Sequence, residues 1–215
     1  MTIQKWGGLA FFLLAVCFVV PSLIYLFGDL RTASGPFAYA LADFLYGPVW
    51  AVSLVTGVLA LREHIGEHAP RRMSLALLAA VLAAAAMVAV ACIRSANRHY
   101  HIIHPELHLE TSTTVLIVWT TIVAGVNGAG WHFLGWAQVL VGWAGWTSRR
   151  LPRLLSLLAL VYGAVSLFVY ALPSLEPDQG AVGVLISIWM GILLWKAKRG
   201  ETQAPEKIAS ETDQA

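Results

Sequence analysis

Four histidines and two glutamates crowd into thirteen residues, "RHYHIIHPELHLE" at 98–110. Imidazoles bind transition metals and titrate near neutrality, so these residue types admit a metal site or a proton-handling segment. Pro105 is read as a helix start, with Glu106 in the first turn where the helix dipole favours negative charge. His104 and His108 are then four apart on one face, and His101 can fold over them. Zinc or copper suits neutral imidazoles at that spacing. The stretch lacks a His-Glu-x-x-His pattern, and Glu106 and Glu110 follow each other on a neighbouring face with no motif precedent. The plain alternative is a hydrated loop that stays clear of a bilayer.

A second constellation lies apart in sequence. Asp43, Arg94 and His132 each interrupt or border a long apolar segment. Ionisable groups there are costly and mark candidate functional sites. Asp43 falls seven residues past Pro36, roughly 10 Å along a helix. If the helices alternate in direction, Asp43, Arg94, His132, Asn127 and the histidine-rich loop share one end. An outward-facing polar pocket for a small solute or ion is the expectation from Asp43, Arg94 and His132. An Asp–Arg pair would also reduce the cost of burying either charge, so a purely structural tie is the competing reading.

The elements that must position these residues are dictated by composition. Of 215 residues, 58% are hydrophobic and 12% charged, about half the charge of an ordinary soluble domain. The apolar residues come in long blocks, which is what a helix crossing hydrocarbon requires. The predicted fold is all-α, a polytopic transmembrane bundle over 1–199, with 200–215 read as a disordered cytoplasmic tail. The lipid bilayer is the expected partner. The net charge of +2 gives no reason to expect nucleic acid. A small-molecule ligand fits the pocket reading, and nothing indicates an oligomeric state.

Candidate spans are 6–28, 37–61, 73–94, a block within 112–147, 151–172 and 181–197. The first is too long for a cleaved signal segment. Pro36 and Pro152 fit first turns, and Pro21 predicts a kink. The block "STTVLIVWTTIVAGVNGAGWHFLGWAQVLVGW", 112–143, is ambiguous. As one helix it would be about 48 Å long, too long for one crossing. Broken at "NGAG" it would give two short spans and seven in all. Alternatively an interfacial helix precedes one span at about 128–147. Six crossings with both ends in the cytoplasm put 11 basic residues inside and 3 outside, whereas seven put 10 and 4. Span length and charge therefore both favour six over seven. Trp6, Trp131, Trp146 and Trp195 are expected at headgroup level, and Trp50 and Trp189 packed between helices. Cys17 and Cys92 read as buried thiols. The alanines of the third span, and Gly135, Gly142 and Gly145 of the fourth, are small enough for close helix approach. Trp136 and Trp143 share a face, which allows a stacking site or, more plainly, packing and lipid contact.

No nucleophile-elbow, phosphate-loop or dinucleotide-binding pattern is present; the alternative to the pocket reading is a metal-binding protein or metal-dependent membrane enzyme using His101, His104 and His108 with Glu106 or Glu110. "GVNGAGW" at 125–131 is glycine-rich, but no strand precedes it. A retinal-protein reading fails because Lys196 and Lys198 stand at the end of the last span, not in mid-helix.

Three stretches together carry a resemblance: "GDLRTAS" at 28–34, "ALADFLYGPVWAVSLVTGVLALREH" with Asp43, and "FLGWAQVLVGWAGWTSRRLPRLLSLLALVYG" at 133–163, including Leu151, Pro152 and Arg153. The chain resembles a bacterial family of multi-pass proteins, domain-of-unknown-function family 4386, over roughly residues 9–172. The resemblance implies a multi-pass protein of the bacterial inner membrane and carries no assigned activity. The histidine-rich loop departs from the family pattern.

Overall fold

The computed structural model describes residues 2–29, 32, 34–103, 113–169, 171–172 and 176–197. Within them the chain forms six helices: α1 (Ile3–Phe27), α2 (Gly35–Ile65), α3 (Pro70–Ile103), α4 (Thr113–Ser148), α5 (Arg153–Ser166) and α6 (Glu176–Lys196). Four are long and apolar enough to cross a membrane: α1, α2, and the stretches Pro70–His99 of α3 and Gln179–Lys196 of α6. Segment 104–112, with His104 and His108, and the tail 198–215 lie outside the described residues, as do Leu30, Arg31 and Ala33.

Local sequence sets the helix ends and irregularities. Thr2 caps α1 by accepting from the Lys5 N–H at 3.4 Å, satisfying one of the free amides of the first turn. Pro36 sits in the first turn of α2, where its missing N–H costs nothing. Pro48, deeper in α2, has no such excuse. Its ring would collide with the carbonyl four residues back, and the helix widens there into a π-turn, Leu45–Val49. Pro152 stands just before α5 as its cap residue rather than inside its first turn.

Each helix packs on its sequence neighbour, and α6 returns against α1. The ring is therefore up-and-down, as short connections favour. Contacts at α1 confirm the directions. A Cβ on Gly7 would run into Ala60 near the end of α2, and one on Gly8 would sit 3.0 Å from the Gly191 carbonyl and 3.1 Å from the Trp195 amide near the end of α6. Every helix contributes a large buried side chain: Phe18, Trp50, Met87, Trp131, Tyr162 and Met190. Phe18 meets Trp50 edge-on at 6.2 Å and stacks on Trp131 at 6.3 Å.

Several expectations are corrected. The fourth apolar block is one continuous helix of 36 residues, unbroken both at "NGAG" and between 124 and 128, so the break on which a seventh span depended is absent. The glycines there serve packing: a Cβ on Gly130 would lie 2.9 Å from the Met87 methyl. Trp131 is buried at 2% exposure rather than at a rim. Cys17 is buried, but Cys92 is exposed on α3. The third helix does not stop at Arg94 but runs to Ile103. The fifth stops at Ser166. Trp50 packs inside as expected, and Trp136 and Trp143 are both exposed.

The α4–α5 seam is the tightest backbone contact. A Cβ on Gly135 would lie 2.8 Å from the Gly163 carbonyl, and one on Gly163 would lie 2.6 Å from both the Gly135 carbonyl and the Val139 amide. Gly142 is held as closely against Ser156 and Leu160. Backbone cannot move aside as a flexible side chain can. Gly163→Ala is expected to lower stability by about 1–3 kcal/mol through overpacking, measured by thermal unfolding in detergent. Gly125, with nothing within 4 Å of its added Cβ, is the control. Gly125→Ala is expected to cost nothing and to gain up to about 1 kcal/mol of helix propensity.

Candidate functional site

The first half of α2 carries Tyr39, Asp43 and Tyr46, spaced four and three apart. That spacing places all three on one face of the helix. The π-turn begins two residues after Asp43. Gly47 within it lets α3 approach so closely that a Cβ would strike Ala91. The late turns of α3 are thereby laid against the early turns of α2. Arg94 and Arg98, four apart on α3, arrive beside Asp43.

Asp43 is 3% exposed. One carboxylate oxygen accepts a hydrogen bond from the Tyr25 hydroxyl of α1, and the other pairs with the Arg98 guanidinium. This is the one ion pair among the described residues. Arg94 lies 5.7 Å from the centre of the Tyr25 ring and 6.0 Å from that of Tyr46. It also lies within hydrogen-bonding reach of the Tyr25 hydroxyl. Arg98 is 5.9 Å from the centre of the Tyr39 ring. Tyr39 packs on Tyr25 at 5.6 Å and donates to the Gly28 carbonyl at 3.1 Å, clasping the α1–α2 connection to the site. Cation–π contacts of this kind add roughly 0.5–2 kcal/mol each, depending on desolvation.

The charges do not balance within this group. The cluster holds two guanidiniums and one carboxylate, and both of that carboxylate's oxygens are engaged, by Tyr25 and Arg98. The cluster therefore offers a half-buried positive charge, the Arg94 guanidinium, framed by phenol rings. That arrangement can hold an anion by charge-assisted hydrogen bonds.

Of the expected trio, Asp43 and Arg94 come together here, with Arg98 as the residue in direct contact with Asp43. His132 is held at a different place, the α4–α5 seam. Trp136 donates its indole N–H to His132 Nε2 at 3.2 Å, and Nδ1 lies 3.3 Å from the Leu167 carbonyl. An indole nitrogen only donates, so Nε2 accepts and Nδ1 carries the proton toward Leu167. Trp136 thus serves His132, and Trp143 lies under Arg72. His101 falls in the last turn of α3, but its side chain, with His104, His108, Glu106 and Glu110, lies outside what is described. Among the described residues no three His, Cys, Asp or Glu side chains are grouped to hold a metal.

Arg98, Tyr25, Tyr39 and Tyr46 were not singled out from the sequence. A signal existed for three of them, in the spacing of Tyr39 and Tyr46 about Asp43 and of Arg98 one turn past Arg94. Tyr25, on another helix, left none. No family model, curated protein or solved structure matches the chain. The resemblance to family 4386 rests on the three quoted motifs.

The two arginines, alike in type, are expected to differ in effect. Arg98→Gln strands a buried carboxylate and should cost about 2–3 kcal/mol, less than breaking a fully buried pair because Arg98 keeps some solvent contact. Arg94→Gln should cost less, about 1 kcal/mol, because its two ring contacts are long and half-exposed, at the weak end of their range, and it strands no buried charge. Denaturant unfolding of the two variants beside the parent checks the order. Equal losses would contradict this assignment of partners.

Proposed function

We propose that the chain is a six-span integral membrane protein of a bacterial inner membrane that binds a small organic or inorganic anion at its extracytoplasmic end, in the site built by Asp43, Arg94 and Arg98. The observation that carries this reading is a second guanidinium, Arg94, held against Tyr25 and Tyr46 beside a carboxylate whose two oxygens are already taken by Tyr25 and Arg98. An uncompensated charge at a half-buried position is costly, and an anion bound to the Arg94 guanidinium would relieve it.

The orientation follows from the distribution of charge. Lys5, Arg62, Arg71, Arg72, Arg149 and Lys196 all stand at one end of the ring, and Arg94 and Arg98 at the other. The basic end belongs in the cytoplasm by the positive-inside rule. Six helices then return the C-terminus to the side of the N-terminus, with the Asp43 end facing out. The bacterial inner membrane is what the family resemblance implies. Asp43 and Arg98 act as a positioning pair: they lock α2 to α3 and hold Tyr25 in place. Arg94 is the group left to meet a ligand.

Purified protein in neutral detergent should be stabilised by one or more small carboxylates or by inorganic phosphate, compared with chloride at equal ionic strength. The melting temperature is the readout. The shift should disappear in Arg94→Gln, which leaves the Asp43–Arg98 pair intact. A shift that persists unchanged in Arg94→Gln, or no shift with acetate, succinate, citrate or phosphate, would overturn the reading.

A further inference from the structure

The opposite end of the bundle carries eight described Lys and Arg residues against two Glu, Glu63 and Glu67. None of these ten forms an ion pair among the described residues. Charge in such excess orients a helix bundle wherever it is placed, but two features here exceed that need.

The first is Arg72, at the start of α3. Its side chain lies across the end of α4, donating to the Thr147 hydroxyl at 2.7 Å and stacking over the Trp143 ring at 4.3 Å. A guanidinium has five N–H donors in a rigid fork, and Thr147 takes one. The rest stay available on a side chain whose rotamer freedom is already spent. The second is Arg149, which ends α4 in the left-handed conformation with φ 57°. It is the one described non-glycine residue with positive φ. Glycine takes that conformation freely, whereas a side chain costs roughly 1–2 kcal/mol. Strain of this kind persists where a side chain has a task. Arg150 follows in the same turn. Trp143 and Trp146 beside them are about half exposed, at 48% and 47%, presenting indoles where amphipathic rings favour the headgroup layer.

We infer that the corner formed by Arg72, Trp143, Thr147 and Arg149 is a binding site for the phosphodiester headgroup of an anionic phospholipid. Arg72, pre-oriented by Thr147 and Trp143, meets the phosphate with paired N–H donors. Arg149 reaches it from the α4–α5 turn, and Trp143 and Trp146 lie along the glycerol and upper acyl region. A zwitterionic lipid presents the same phosphate but brings its own cation into a corner already crowded with cations, so the site discriminates by net charge. The corner lies at the far end of the bundle from Asp43 and does not depend on the anion-site reading.

The test uses the full chain in neutral detergent. Its melting temperature is followed on titration with phosphatidylglycerol, with phosphatidylcholine and with inorganic phosphate. In an Arg94→Gln background, which removes the phosphate response expected at the Asp43 end, phosphatidylglycerol should raise it, and the other two should not. Arg72→Gln should weaken the apparent affinity for phosphatidylglycerol roughly fivefold, the worth of one cation near an anionic lipid surface. Arg149→Gly supplies the sharper arm, because its two effects oppose. Without lipid it should match or exceed the parent's melting temperature, since the backbone strain is gone, yet its response to phosphatidylglycerol should fall by a similar factor. Unchanged responses in both variants would overturn the site. So would equal stabilisation by phosphatidylcholine, or stabilisation by inorganic phosphate that matches phosphatidylglycerol.

Discussion

Asp43 is a carboxylate buried in a helix bundle that is otherwise mostly apolar, and its charge must be answered by groups on other helices. Removing an ion from water costs several kcal/mol even after relaxation. The answering groups are the Tyr25 hydroxyl on α1 and the Arg98 guanidinium on α3. Much of one end of the molecule follows from that requirement. The end of α1, the start of α2 and the last turns of α3 have to meet at a point. α3 has to continue well past its apolar run, because Arg98 lies beyond it. The π-turn forced by Pro48 sits beside this junction, with Gly47 allowing α3 close enough for the pair to form. Once Arg98 is committed to Asp43, Arg94 is the cation left facing the tyrosines.

The bundle is held together in two different ways. Between α4 and α5, glycines remove side chains from the seam, and backbone packs on backbone at Gly135, Gly142 and Gly163. In lipid the hydrophobic drive between helices is weak, so such dense contact supplies dispersion instead. Around α1, α2 and α3 the adhesive is polar and directional. The first mode tolerates no added atom, and the second tolerates no lost partner. His132 belongs to the packed seam, where Trp136 and Leu167 fix its tautomer.

The helical character and the rough position of each helix are readable from apolar block length, because the backbone of a chain in lipid has no alternative to internal bonding. Helix ends were less readable. Composition marks where a segment stops being greasy, whereas a helix stops where its hydrogen bonds do. Hence α3 runs nine residues past Arg94, and "NGAG" continues as helix because Met87 occupies the space beside Gly130. Asp43 and Arg94 were visible as charges out of place in apolar surroundings. The direct partner of Asp43, Arg98, was hidden by its position in a polar stretch, where a charge looks ordinary. Trp131 misled for the complementary reason. Tryptophan near a block edge suggests an interface, but its depth depends on the neighbouring helix, and here Phe18 covers it.

The account stands most directly on the coupling between Asp43 and Arg98. Asp43→Asn, Arg98→Met and the double variant, unfolded alongside the parent in one detergent, form a double-mutant cycle. The two residues should show an interaction energy of at least about 1.5 kcal/mol, as close charge pairs removed from water do, with the double variant more stable than the sum of the single losses. Additivity to within about 0.5 kcal/mol, the behaviour of sites that do not touch, would contradict it.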